Sequence, residues 1–452
     1  MKQAVSKYDK MMNTPIPRLV AGLSVPTIIS MMVTNVYNVV DTAFVGTLGT
    51  SASGAVGIVF GYMAILQAIG FTFGQGAGSI ISRALGAKNM KKASQIASTA
   101  LFYSFTIAIA AAVISGILLD QLIWLLGSTT TIAPFAKTYI FYILLTAPFM
   151  VSGFTLNNIL RYEGRALYGM IGLMTGAGLN ILGDAILMLG FHMGIAGAGL
   201  STAVSQVVSF CILLAPFLRG RTDCRMNLKL VQFRPGEVLN IAATGAPSLL
   251  RQGLNSVTTI LLNSEASVYG DAAVAAMSIV SRLFFFIFSI AIGVGQGFQP
   301  VSGFSYGAKR FDRLKKAYWF TIGLAQVLMI LCCLAVYPNA EFFCRLLRDD
   351  PAVTVIAARA LRLQCLAVLF LPFCMGTEMM MQSTGQRVSA SILSCLRNGL
   401  IFIPLLLCMS SLRGLSGIQE AQPLSYVLAV PPAVLIAVLF FRKLRRTTQE
   451  TA

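Results

Sequence analysis

Long apolar segments recur along the whole chain, and their length constrains the fold more than any other feature. A helix that crosses about 30 Å of hydrocarbon needs about 20 residues. Twelve segments of roughly that length are present, at residues 19–45, 54–81, 96–118, 135–159, 167–190, 195–217, 239–266, 273–300, 318–338, 354–380, 389–411 and 423–441. Of the 452 residues, 56% are hydrophobic and only 11% are charged. The sequence therefore predicts a polytopic membrane protein.

The apolar segments predict helices, so we expect an all-α integral membrane protein. Barrel strands alternate apolar and polar residues over about ten positions, whereas LFYSFTIAIAAAVISGILL is apolar almost throughout. No phosphate loop, metal-ligand spacing or nucleophile set is evident, and the nine cysteines form no CxxC pair. We therefore expect neither an enzyme nor ATP hydrolysis, and we interpret the cysteines as free thiols.

The basic residues are distributed unevenly, and this distribution predicts topology. The net charge is +18, and 25 of the 34 Lys and Arg fall in the termini and in alternate connections. The opposite connections clearly hold only Arg345, Arg348 and Arg413. By the positive-inside rule, both termini should be cytoplasmic in a multi-pass protein of the cell (inner) membrane. Topology accounts for the charge, so we expect no nucleic-acid partner.

An internal repeat divides the chain into two halves. GQGAGSIISRALGAK begins at Gly74 and GQGFQPVSGFSYGAK at Gly295, 221 positions later, and the same offset relates Pro26 to Pro247. The interpretation is two homologous six-helix lobes, 1–217 and 239–441, with a basic cytoplasmic linker, 218–238, and a cytoplasmic tail, 442–452. Six spans per lobe make the repeats parallel and pseudo-symmetric about the membrane normal.

Acidic residues inside the spans are candidates for function. Asp41 and Asp184 both lie about five or six residues before a predicted outer turn, so they share a depth. Asn180 is one helical turn from Asp184, and Thr202 reaches a similar depth on the sixth span. An ionised group at this depth costs about 2.5 to 3.5 kcal/mol, so such groups usually face a cavity or a partner. We therefore predict a polar cluster of these four residues.

The repeat provides a control for this cluster. The four equivalent positions in the second half, 221 residues later, hold Leu262, Ile401, Leu405 and Pro423. A cluster needed only for the six-helix scaffold should recur in the second half, so a functional role is favoured over structural hydrogen bonding. Two carboxylates in a poorly solvated site can share a proton, or they can bind a small hard cation such as Na⁺ together with amide and hydroxyl oxygens.

The sequence resembles the multidrug and toxic compound extrusion (MATE) family, in its prokaryotic multidrug efflux type. The resemblance is carried by the GQG and GAK motifs, by NVVDTAFVG in the first span, and by GLNILGDAILMLGFHMGIAGAGLSTAVSQ across the fifth and sixth. It implies an antiporter that expels organic, often cationic, drugs in exchange for H⁺ or Na⁺, without a further cofactor. We expect a monomer in the lipid bilayer.

The resemblance also implies roles for individual residues. The ion-coupling residues, which would also hold any Na⁺, would be Asp41, Asn180, Asp184 and Thr202. The substrate-binding residues would be Tyr37, Asn38, Tyr139 and Asn157, to which the sequence itself adds Glu378. For the first four of these, ordinary interhelical hydrogen bonding is the alternative. Glu378 would contact cationic substrate or pair with a neighbouring arginine.

The sequence departs from some sodium-coupled relatives in its second half. Those relatives carry working acids in the seventh and tenth spans, whereas the middle of the seventh span here has Arg251 and no acid. Glu378 is the one candidate acid in the tenth span. The alternative function is a lipid-linked precursor flippase of the same superfamily, which would line its cavity with arginines for phosphates. The candidates are Arg251, Arg282, Arg359, Arg362 and Arg397.

Overall fold

The computed structural model describes residues 7–348 and 350–450, and every regular element in this part of the chain is a helix. Twelve of these described helices are long enough to cross a membrane, and we number them α1 to α12. They are Ile16–Gly46, Thr50–Gly86, Met90–Ile117, Ala133–Tyr162, Ala166–Gly190, Gly194–Leu218, Pro235–Ser267, Asp271–Gly307, Phe311–Val336, Pro351–Thr384, Arg387–Arg413 and Leu415–Arg446. The predicted all-α fold with twelve spans is confirmed, and the last helix continues through the predicted tail to Glu450.

Composition separates one helix from the other eleven. Among the described residues, eleven of the twelve helices are apolar enough to cross a membrane. The exception is α7, which has 33 residues but carries Arg251 and Glu265 among several amides and hydroxyls. In the other helices, large apolar side chains point outward; Leu145 and Leu334, for example, are 65% and 67% exposed. Such surfaces require lipid as their solvent.

The same turns recur in both halves of the chain. Each pair is 221 positions apart and has a positive φ: Gly49 (105°) and Gly270 (90°), Lys88 (59°) and Lys309 (55°), Gly164 (75°) and Gly385 (83°). At the two lysines, an N–H one residue later donates 2.8 Å back to a carbonyl in the last helical turn. This bond closes the helix end in the manner of a Schellman motif. The GAK motif therefore ends α2 and α8 in the same way.

The described residues form two compact units. One takes its residues from Met1–Ile28 and Leu250–Ala452, and the other is Ile29–Leu249. The boundaries fall inside α1 and α7, two residues after Pro26 and Pro247, where proline removes a helical hydrogen bond. The predicted lobes follow the sequence repeat, and that division stays a prediction. In the structure, the start of α1 belongs to the unit that contains most of the second half, and the start of α7 belongs to the unit that contains most of the first half.

Glycines allow these helix starts to pack closely. In the first unit, a side chain on Gly297 of α8 would meet the backbone of Ser24 in α1. In the second unit, a side chain on Gly76 of α2 would meet the backbone nitrogen of Gly245 in α7. Ser24 and Gly245 are 221 positions apart, as are Gly76 and Gly297, so the two contacts are equivalent under the repeat.

Three helices contain irregular turns that the sequence did not predict. A π-helical turn, Ala185–Gly190, directly follows Asp184 in α5, and another, Leu396–Leu400, interrupts α11. A 3₁₀ turn, Val368–Phe370, interrupts α10 just before Pro372. Turns of the π type are often found at functional sites.

The predicted linker is held against the second unit by backbone hydrogen bonds. The N–H groups of Asp223 and Cys224 donate to the two carboxylate oxygens of Glu163, at 3.2 and 3.1 Å. Ser94 accepts from the N–H of Arg225 at 3.0 Å. Burial raises the pKa of Glu163 from its ordinary value of 4.5 to about 7, although the N–H donor of Cys224 opposes this. The linker is therefore docked on a buried acid outside the spans.

Candidate functional site

The four predicted ion-coupling residues are all buried in the unit Ile29–Leu249. The exposed fractions are 4% for Asp41 on α1, 1% for Asn180 and 0% for Asp184 on α5, and 1% for Thr202 on α6. The Asn180 amide donates to the Thr202 hydroxyl at 3.1 Å. The structure thus places polar groups from three helices in one apolar unit.

The two carboxylates form the centre of this cluster. Asp41 and Asp184 lie close enough for their charges to interact. Three of their four oxygens, Asp41 Oδ1 and both of Asp184, are buried and lack a hydrogen bond of ordinary length and angle, as does Asn180 Oδ1. A buried unsatisfied acceptor costs about 1 to 3 kcal/mol. A bound proton or small cation would satisfy several of these acceptors at once.

A close approach of α5 and α6 positions the cluster. A Cβ on Gly183 would lie 2.5 Å from the Ser201 hydroxyl, so glycine is needed for this spacing. That hydroxyl donates to the backbone carbonyl of Asn180 at 2.8 Å and fixes the two helices at the level of the carboxylates. The sequence analysis did not predict Ser201. The feature that could have indicated it is the predicted Thr202, because the two residues are neighbours on the same turn of α6.

Two tyrosines border the same cluster. Tyr37 of α1 and Tyr139 of α4 both lie within electrostatic reach of Asp41 and Asp184. The Tyr139 hydroxyl is 3.5 Å from the hydroxyl of Thr202, and Tyr139 is only 1% exposed. Each phenol can donate a hydrogen bond to an ionised neighbour and accept one from a protonated one.

A cavity of about 80 Å³ opens beside the cluster. Tyr37, Asn38 and Asn180 line it, together with apolar residues such as Met63 and Phe154. Pockets for drug-sized ligands measure roughly 300 to 1,000 Å³. In this conformation the cavity therefore has room for water, an ion or a small part of a larger molecule.

The remaining predicted substrate residues lie elsewhere. Asn157 on α4 packs against Gly169, where a Cβ would lie 2.8 Å from its amide nitrogen. Glu378 belongs to the other unit, where its Oε1 accepts from Arg251 at 2.6 Å and from Ser394 at 2.7 Å. Pairing with an arginine is the alternative that the sequence left open for Glu378, and its substrate role stays a prediction.

Among the residues that the structure describes, no group of three or more His, Cys, Asp or Glu side chains could hold a metal ion. A cation at the cluster would therefore need the amide, hydroxyl and phenol oxygens as well as the carboxylates. Hard monovalent and divalent ions accept such oxygen ligands.

The match to a known protein family shows the same twofold organisation of the chain. The MatE family model matches residues 26–186 and again residues 247–407. The second match begins 221 positions after the first, which is the offset of the sequence repeat. Together the two matches cover more than half of the chain.

Similar proteins span nearly the whole chain. Multidrug export protein MepA of Staphylococcus aureus (strain N315) is 28% identical over 438 residues, 97% of each protein. Multidrug export protein MepA of Staphylococcus saprophyticus is 29% identical over 417 residues, 92% of each. A solved structure described as the outward-facing conformation of a multidrug resistance MATE family transporter of the MOP superfamily has a TM-score of 0.93 at 24% identity. It covers 98% of this chain and 100% of that one.

Proposed function

Because this chain belongs to the MatE family of multidrug and toxic compound extrusion transporters, we propose that it is a secondary active antiporter. It exports organic, often cationic, compounds in exchange for H⁺ or Na⁺. Similarity to MepA, which is named a multidrug export protein, supports the export of drugs. The coupling ion is assigned to the cluster at Asp41 and Asp184.

The observation that carries the proposal is the set of unpartnered acceptor oxygens on the two buried carboxylates. Two negative charges in a poorly solvated site repel each other, and each attracts a cation. Such a pair binds a proton or Na⁺ readily and releases it when the surroundings change. A structural carboxylate would instead be expected to have its hydrogen-bond donors in place.

The exchange follows from charge. When Asp41 and Asp184 are ionised, the cluster attracts a cationic compound in the neighbouring cavity. When the pair takes up H⁺ or Na⁺ from outside, this attraction weakens and the compound is released outward. The pair then discharges its ion on the inner side before the next cycle. The amide of Asn180 and the hydroxyl of Thr202 provide further oxygens if the ion is Na⁺.

The test is efflux of a fluorescent cation from proteoliposomes in which pH and sodium gradients are imposed separately. Asp41→Asn and Asp184→Asn should abolish gradient-driven efflux and leave the protein folded, because the substitution keeps the shape of the side chain. Asp120→Asn is the matched control, since Asp120 is a 70% exposed surface residue paired with Lys137. Intact ion-driven efflux in Asp41→Asn would refute the assignment of the coupling site.

The flippase alternative receives less support. Three of the five candidate arginines are ion-paired with carboxylates: Arg251 with Glu378, Arg359 with Glu420, and Arg362 with Glu341. These pairs leave fewer cations for the phosphates of a lipid precursor. Stronger binding of a lipid diphosphate than of cationic dyes would reverse this preference.

A further inference from the structure

Each half of the chain contains a cavity at an equivalent position. The unit that contains Leu250–Ala452 has a second cavity, of about 30 Å³. Ten of its lining residues lie 221 positions after residues that line the first cavity, including Phe288 after Gln67, Arg397 after Gly176 and Tyr426 after Ser205. The two cavities are therefore the same feature of a duplicated fold, with different side chains.

The charges at the two cavities have opposite sign. The first lies beside Asp41, whereas its repeat partner Leu262 lines the second. In the second cavity, the equivalent of Gly176 is Arg397, which lies on the π-helical turn of α11. Duplication followed by substitution has thus placed carboxylates at one site and a guanidinium at the other.

Arg397 is a buried cation without an anionic partner. It is 3% exposed, its Nε donates to Asn398 at 3.1 Å, and its Nη1 is buried without a hydrogen-bond partner. In the part of the chain that the structure describes, no carboxylate forms an ion pair with it. The nearby Glu378 is already paired with Arg251 at 2.6 Å. Two guanidinium groups and one carboxylate leave a net positive charge inside the membrane, which is unfavourable without a bound anion.

Aromatic rings flank this guanidinium. Its carbon lies 5.2 Å from the centre of the Phe288 ring and 5.6 Å from that of Tyr426. These rings stabilise the cation and provide flat apolar surface next to it. In this conformation the cavity of about 30 Å³ has room for a group of a few atoms, such as a carboxylate.

We propose that this second cavity binds the carboxylate of anionic or zwitterionic aromatic compounds. The free N–H of Arg397 donates to the carboxylate, and Phe288 and Tyr426 contact the attached ring. The inference rests on the proposed function, because it names a class of compound that the exporter accepts. It adds a recognition site of opposite sign to the acidic cluster of the first half.

The test is equilibrium binding to the full-length purified protein in detergent, without any ion gradient. The probes are a fluorescent xanthene dye with a free benzoate and the methyl ester of the same dye, followed by fluorescence polarisation. Arg397→Gln should weaken binding of the benzoate dye about tenfold or more, the effect of losing a charge-assisted hydrogen bond. Binding of the ester should not change. Arg397→Lys should retain part of the preference, because it keeps the charge and loses the planar fork.

Arg219→Gln is the control for loss of one positive charge, because Arg219 is exposed just after α6. Unchanged binding of the ester shows that the Arg397 variants are folded. Equal weakening of both dyes, or no weakening of the benzoate dye, would overturn the inference and leave the proposed function intact. If the wild type binds neither dye, both proposals fail.

A second measurement separates the carboxylate of a compound from a free inorganic anion. The midpoint of thermal unfolding is compared with and without added sodium chloride for the wild type and for Arg397→Gln, so that the variant accounts for the effect of ionic strength. If chloride stabilises only the wild type while the dye preference does not depend on Arg397, the site holds an inorganic anion and the proposal is overturned. A dye preference that depends on Arg397 supports it.

Discussion

Replacing Glu378 with glutamine should destabilise the unit that contains it by about 3 to 5 kcal/mol, the usual effect of removing one partner from a buried ion pair. Arg251 Nη1 and Glu378 Oε1 are 2.6 Å apart, and the two side chains are only 9% and 3% exposed. Loss of the carboxylate leaves the guanidinium of Arg251 buried and uncompensated.

A nearby substitution calibrates this magnitude. Ser394 donates to the same carboxylate oxygen at 2.7 Å. Ser394→Ala removes one hydrogen bond to a charged group, which is worth about 1.5 to 3 kcal/mol, and leaves the ion pair intact. The double variant Arg251→Met with Glu378→Met removes both charges, so it should be more stable than Glu378→Gln alone.

The assay is equilibrium unfolding of the purified protein in mixed micelles. It compares the wild type, Glu378→Gln and Ser394→Ala with the cycle of Arg251→Met, Glu378→Met and the double variant. Non-additivity of about 1 kcal/mol or more identifies direct coupling between the two charged residues. Additive effects, or equal small losses for Glu378→Gln and Ser394→Ala, would refute the reasoning. Unchanged stability of Glu378→Gln together with lost dye binding would instead assign Glu378 to the substrate.

Two further predictions concern packing and pH. Gly183→Ala should impair ion-driven efflux, because its methyl group would lie 2.5 Å from the Ser201 hydroxyl that joins α5 to α6. Gly178→Ala is the control and should be neutral, since nothing lies within 4 Å of the added methyl group. Equal effects of the two substitutions in efflux assays would contradict this prediction. Because burial raises the pKa of Glu163 from 4.5 to about 7, docking of the linker is strongest below the lower value and weakens as the pH rises through about 7. The rate of tryptic cleavage of the linker, normalised to that of a peptide substrate, should therefore increase in the wild type as the pH rises from 4.5 through about 7. The normalised rate should stay constant in Glu163→Gln. A cleavage rate of the wild type that does not depend on pH would contradict this prediction.

The arrangement of the spans could be predicted from sequence because it depends on length and apolarity. Each predicted segment corresponds to one helix, and the MatE match confirms the family resemblance drawn from the motifs. The sequence repeat also corresponds to a repeat of local geometry: the motif residues Lys88 and Lys309 adopt the same left-handed backbone conformation. These features are properties of single segments, so they need no knowledge of packing.

Features that depend on packing between helices were less accessible. Depth and helical spacing placed Asp184 beside Asn180 on α5, but they could not indicate that Ser201 joins α6 to that helix, because helix rotation is set by neighbours such as Gly183. The partner of Glu378 was also open, since several arginines lie at suitable positions in the sequence. The π-helical turn that holds Arg397 has no simple sequence signal, so its burial without an anion could be recognised only in three dimensions.

The placement of the first helix of each half has a consequence for ancestry. The start of α1 packs against α8 in one unit, and the start of α7 packs against α2 in the other, through equivalent glycine contacts. A six-helix ancestor with the same contacts would satisfy them by exchanging the start of its first helix with a second copy of itself. Such an exchange is a domain swap, and it depends on the concentration of the chain. Fusion of two copies through the linker makes the exchange intramolecular, so assembly no longer depends on finding a partner, and the two halves were then free to acquire side chains of opposite charge.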